Sequence, residues 1–210
     1  MGPLSLESME AATNLQRQTM RLYRSLVSQR ADWGGALVLC SGQGCVASGI
    51  PVAASIAGAA TLAVDADAEA MKSALRRGEL DFVVNTLDEA LRTLKNQIRL
   101  KRPLSVGLIA DAGVTLAELD NRGVKADAVI GLQQVAANDD ELFFAAQDAG
   151  ELQRLDETLL EALPADDARK RWIRRLPQYL REARSGGRWI WLSAEERAVL
   201  EASGFSPESR

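Results

Sequence analysis

The chain has 210 residues, with 25 basic and 29 acidic side chains and no histidine. That length supplies a domain of ordinary size with flanking segments and enough apolar residues to bury a core, and the near balance of charge gives no general attraction to nucleic acid or anionic lipid. Without histidine, one chain cannot build a Ser-His-Asp triad, a histidine acid–base pair or a histidine-containing metal site.

Residues 1–10 carry no basic segment followed by an apolar one, as a secretory signal would, and no run approaches the ~18 apolar residues of a membrane span. A soluble, cytoplasmic protein with no nucleic-acid or membrane partner is expected. The first segment, 1–34, reads as a helical flank. Leu15, Leu22, Leu26 and Val27 share one face of a helix over 14–30, a stripe that packs on a sheet or on another subunit.

From 35 to 137 the chain alternates short apolar runs with helical segments. Strands are predicted at 36–39, 61–64, 81–85, 105–110 and 127–132, with helices starting near 49 and spanning 67–77, 87–100 and 113–121. The strand runs are continuously apolar, as in a sheet covered on both faces. Right-handed crossovers then give an α/β fold, a doubly wound, mostly parallel five-stranded sheet in the order 3-2-1-4-5, with helical flanks at both ends. The last segment, 138–210, is read as helical: an acidic stretch over 139–163, then a basic amphipathic helix over 167–184 that Pro177 should kink.

The turn after the first strand carries the chemistry. Gly42, Gly44 and Ala47 fit GxGxxG/A, and Asp65 ends the second strand about 20 residues on, where a dinucleotide fingerprint places its carboxylate. Gly42 takes the tight turn, Gly44 admits a pyrophosphate close to the backbone, and Ala47 allows tight helix-on-sheet packing. Asp65 would accept a hydrogen bond from a ribose 2′-hydroxyl and repel a 2′-phosphate, favouring NAD over NADP; Asp67 is the alternative acid. A plain βα turn with chance glycines has the same letters, but not the strand, helix and acid in register. Gln43, Cys45, Val46 and Ser48 complete the cradle. Asn85, Thr86, Asp111 and Gln133 fall at or beyond the carboxyl ends of later strands, where ligands of such sheets bind; Asp111 equally suits a helix cap. Cys40 and Cys45 flank the turn. They are readable as metal ligands, a redox pair, a nucleophile, or two small reduced thiols packed at a tight junction, and the last is expected.

Three stretches and Asp65 resemble the NAD-binding domain of the urocanase (urocanate hydratase) family: VLCSGQGCVASGIPVAASIAGA over 38–59, SVGLIADAG over 105–113, and NRGVKADAVIGLQQ over 121–134. The resemblance implies a Rossmann-like NAD domain over 35–137, a homodimer, and NAD acting as an electrophile in a hydro-lyase. It places Asp111 where the family has a nucleotide-contacting Asn and leaves Gln133 or Gln134 as the remnant of the segment around the nicotinamide. Downstream, 161–175 and 185–192 echo the family's core domain, which sets Arg188 against substrate. Departures are as informative. A glycine-rich GGMGG is replaced by Gly44, Cys45, Val46, Ala47 and Ser48, and an acid of the family's active site is replaced by Arg174, which cannot do the same proton chemistry. Two functions follow as expectations. The first is an NAD-binding urocanase-like protein that lacks hydratase activity on its own. The second is a non-catalytic nucleotide-sensing or subunit-assembly module, which uses Trp189, Trp191 and the basic helix and completes a site with a partner chain.

Overall fold

The computed structural model describes residues 6–131, 138–180, 184 and 186–208. The chain divides into two compact units, Leu22–Gln134 and a second one made from both remaining pieces, Met1–Arg21 and Val135–Arg210. Helix α1 (Leu6–Gln29) begins in one unit and ends in the other. Its Leu22 and Leu26 are buried within this chain.

In the unit from Leu22 to Gln134, five strands form one parallel sheet: β1 (Leu37–Ser41), β2 (Ala60–Asp65), β3 (Phe82–Val84), β4 (Leu104–Ile109) and β5 (Ala128–Ile130). Between them run α2 (Ile50–Ala57), α3 (Ala68–Arg77), α4 (Leu87–Leu100) and α5 (Ala112–Asn121). Local chemistry fixes the helix ends. Asp67 caps α3 by accepting from the N–H groups of Glu69 and Ala70, and Thr86 caps α4 through Glu89. Helix α4 also places Asp88 and Glu89 in its first turn and Arg99 in its last, as the macrodipole favours. Every residue of α2 is buried, its small side chains letting it lie close to the sheet.

Side chains alternate between two covered faces. Leu37, Leu39, Leu62, Val64, Val106 and Leu108 join Leu87, Ala90 and Leu94 of α4 and Leu119 of α5 in one core. On the opposite face α3 presses on β4: a Cβ added at Gly107 would lie 2.9 Å from the Met71 sulfur and 2.7 Å from Leu80 Cδ1. The doubly wound fold is as expected, but the strand order is β3-β4-β2-β1-β5, not 3-2-1-4-5. Length and polar pins explain the difference. Six-residue β4 pairs with β2 from Ala60–Leu104 to Asp65–Ile109, whereas β3 has three residues and leaves Phe82 half exposed, which suits an edge. Asp81 ties β3 to the outer side of β4 by accepting from the Ser105 N–H at 2.7 Å and its hydroxyl at 2.9 Å. In the same manner Asp127 accepts from the Leu37 N–H at 2.8 Å and sets β5 beside β1.

The other unit corrects the expected all-helical C-terminal region. It holds an antiparallel pair, β6 (Glu141–Ala146) and β7 (Gly186–Trp191), with α6 (Ala149–Ala162), α7 (Ala168–Tyr179) and α8 (Ala194–Ala202). Consecutive Phe143 and Phe144 are both buried, and the alternation that would betray a strand is blurred by them. The tryptophans belong mainly to this core. Trp172 and Trp189 are buried, and the Trp172 indole N–H donates to the Trp189 carbonyl at 2.9 Å. Pro177 lies within the last turns of α7.

Candidate dinucleotide site

The chain leaves β1 at Ser41 and turns sharply. The Gly42 N–H donates to the Val64 carbonyl at 2.9 Å, so the turn starts against the carboxyl end of β2. Gly42 and Gly44 have φ of 93° and 84°, values that side chains rarely tolerate. The turn closes through N–H groups of Cys45 on Gly42 O, Ser48 on Gly44 O and Gly49 on Val46 O, while the Ser48 hydroxyl donates to the Cys45 carbonyl at 2.7 Å. Among the described residues the N–H groups of Gln43, Gly44, Val46 and Ala47 have no acceptor. A Cβ added at Gly42 would meet nothing within 4 Å. The turn is therefore open on the Gly42 side. From Ser41 to Gly49 it contains no acidic side chain, so its donors suit an anion.

The side chains of Cys45 and Val46 are buried, so these two residues can offer a ligand only their backbone. Cys40 and Cys45 are joined as a disulfide, Cα to Cα 5.8 Å, which corrects the expected pair of reduced thiols. A five-residue spacing says nothing about distance until the turn folds back; here it returns Cys45 to bridging range of the strand.

Asp65 ends β2, beside the turn. It is 3% exposed, and its Oδ1 accepts from the Asp67 N–H at 2.9 Å. Asp67 caps α3, as above. Because β4 is the neighbour of β2, the loop carrying Asp111 follows directly beside Asp65, and the Ala110 N–H donates to the Asp65 carbonyl at 3.2 Å. Asp111 is exposed and caps α5 through the Val114 N–H at 2.8 Å. Asn85 and Thr86 follow the edge strand β3, which β4 and β2 separate from β1, and Thr86 is spent on α4. Gln133 and Gln134 lie outside the described residues.

Arg188, placed on substrate by the resemblance, sits on β7 with its side chain 2% exposed. Its Nε and Nη2 donate to the two oxygens of Asp156 at 2.8 and 2.7 Å, and Nη1 donates to the Gly187 carbonyl at 3.1 Å. Burial raises the Asp156 carboxyl above the usual carboxylate range, and the charge and hydrogen bonds of Arg188 offset only part of that. Asp156 carried no signal in the sequence, lying 32 residues from its partner on an amphipathic helix. Glu141, also buried, accepts from Arg17 and Arg21 of α1. Arg169 bridges Asp167 and Glu196. Burial disfavours the charge on both carboxyls, but the hydrogen bonds from Arg169 outweigh it and hold both below the usual range. Arg174 is exposed on α7. Among the described residues there is no cluster of three metal-ligating side chains, and no helix is long and apolar enough to cross a membrane.

A parallel, doubly wound sheet with a glycine turn after β1 and an acid ending β2 defines a Rossmann-like domain. The profile of the urocanase Rossmann-like domain matches residues 16–140, more than half of the chain. This chain belongs to the urocanase family.

Proposed function

We propose that this protein binds NAD at the turn after β1 and does not hydrate urocanate on its own. The observation that carries the reading is the set of acceptor-free N–H groups on Gln43, Gly44, Val46 and Ala47, held between left-handed glycines beside the carboxyl end of β2. They would hold the pyrophosphate, with Gly42 and Ser48 shaping the cradle. Asp65 would take the adenosine ribose and Asp111 would lie next along the sheet edge. In the family, NAD supplies an electrophilic ring to an imidazole substrate. The residues of this chain that would serve that chemistry are reduced. Arg174 stands where the family has an acid, the Arg188 guanidinium is engaged by Asp156, and a positioned acid–base group is worth roughly 10²- to 10⁴-fold in rate.

The test is a titration of the full-length chain with NAD and NADP, together with mass spectrometry of any small molecule released on denaturation. Binding of NAD, tighter than NADP, with no loss of urocanate absorbance over several pH values supports the reading. Absence of any bound or binding nucleotide removes it. Steady urocanate turnover that scales with protein removes its second half.

A second reading, an assembly module acting as a homodimer or with a partner subunit, draws on the edges of the sheet. Val129 on β5 is 67% exposed and Phe82 on β3 is 51% exposed, apolar side chains on strands with an unpaired side. A monomer mass by light scattering at micromolar concentration would speak against self-association.

A further inference from the structure

We infer that the Cys40–Cys45 disulfide is a redox clasp on the dinucleotide turn: the bridged form holds the turn ready for a pyrophosphate, and reduction by a dithiol loosens it. The inference rests on the NAD reading above. Its two ends are anchored differently. Cys40 lies in β1 with strands paired on both sides, opposite Ala63 of β2 and Ile130 of β5, and it is fully buried. Cys45 lies in the turn, held by its N–H on the Gly42 carbonyl and by its own carbonyl under the Ser48 hydroxyl. Two sulfurs that lose their bond must separate to van der Waals contact. The strand cannot move, so Cys45 does. Its displacement is transmitted to Gly42 and Ser48 through those two hydrogen bonds, and so to the intervening N–H groups that would face phosphate.

As a staple for stability the bridge is poorly placed. The entropy a disulfide removes from the unfolded chain grows with the length of the closed loop, and this loop has a sequence separation of only 5. Its position, bracketing both glycines of the turn, is what distinguishes it. Cys45 is 1% exposed, so exchange requires a local opening of the turn first; a thiolate of the dithiol then attacks Cys45 Sγ, the Sγ–Sγ bond breaks, and Cys40 leaves as a thiolate that takes up a proton. The second thiol of the reductant then displaces Cys45, which is protonated in turn, and the reductant departs as a cyclic disulfide. Pre-organisation makes the bridged form the tighter binder. By linkage, bound NAD must protect the bridge to the same degree.

The chain has only these two cysteines, so alkylation followed by intact mass counts the bridge directly. The experiment titrates the full-length protein with NAD by calorimetry, once oxidised and once after dithiothreitol, and measures the bridged fraction at equilibrium in mixtures of reduced and oxidised dithiothreitol with and without saturating NAD. The oxidised form is expected to bind roughly tenfold tighter, and NAD to shift the thiol–disulfide equilibrium toward the bridge by a similar factor. Cys40→Ala should bind like the reduced form and ignore dithiothreitol; the comparison of the two wild-type forms stands without it. Equal affinity of both forms, tighter binding by the dithiol form, or two free thiols in the oxidised preparation overturns the clasp and leaves NAD binding intact. Failure of NAD to bind either form overturns the dinucleotide reading, and the clasp with it.

Discussion

Replacing Asp156 with alanine decides what Arg188 is for. The arginine side chain is 2% exposed and its fork closes on both oxygens of Asp156, whose own side chain is 22% exposed. Removing one partner of a buried pair costs about 3–5 kcal/mol, because the other charge is left uncompensated. Water reaches the Asp156 side and can partly take its place, so the lower end applies, about 3 kcal/mol, or a factor of roughly 150 in the folded-to-unfolded ratio. The pair is not thereby a net asset. With burial raising the Asp156 carboxyl despite its arginine, an apolar pair of similar size should do as well, so Asp156→Leu combined with Arg188→Met is expected to recover most of the loss. Urea titration followed by tryptophan fluorescence suits the assay, since Trp172, Trp189 and Trp191 all belong to the unit that holds the pair. If Asp156→Ala loses less than about 0.5 kcal/mol, a change typical of exposed sites, Arg188 is not structurally committed and a substrate role reopens.

Gly42→Ala separates binding from folding. With open space around the new Cβ, its stability cost is the left-handed backbone alone, about 1–2 kcal/mol, whereas NAD affinity should fall tenfold or more as the methyl enters the phosphate approach; thermal melts and calorimetry on the same sample read both. Asp65→Ala should raise affinity for NADP relative to NAD, and an unchanged ratio in paired titrations would remove Asp65 from the ribose. Acid should weaken the unit containing Arg169. Asp167 and Glu196 have folded values below their unfolded ones, so their contribution is complete above the ordinary carboxylate range and is lost as pH falls through the folded values. Arg169→Met should flatten that acid limb in urea titrations run between pH 6 and pH 3, and an unchanged slope would exclude the bridge as its source.

The Rossmann-like unit was legible because its signals are local. Helix α4 runs Leu87–Leu100 as its caps and charges dictate, and Asp67 and Asp111 sit at helix starts where their types predict. The strand order was not legible, since it depends on which strand accepts Asp81 and how many residues can pair, both facts about partners distant in sequence. β6 was hidden for a similar reason: an apolar run bordered by acids fits a helix until Gly187 is seen to lie against the Phe144 carbonyl, where no side chain fits. In the site, the residue types were readable but their engagement was not. Nothing in the letters shows that the Cys45 and Val46 side chains face inward, that Cys45 reaches Cys40, or that Arg188 is held by Asp156.

The unit built from both pieces of the chain has a bearing on synthesis. Gln16 accepts from the Trp189 N–H at 2.6 Å across a separation of 173 residues, and Arg17 and Arg21 wait for Glu141. A ribosome therefore delivers Leu22–Gln134 as a segment able to complete its own sheet before the antiparallel pair β6–β7 exists. Until β6 emerges Arg17 and Arg21 lack Glu141, and until β7 emerges Gln16 lacks Trp189; closing such long loops is slow. Truncation between Gln134 and Glu141 would leave a nascent chain with its Rossmann-like half formed and the Arg17, Arg21 and Gln16 side of its first helix unclaimed, the condition under which a chaperone that recognises amphipathic helices has most to hold.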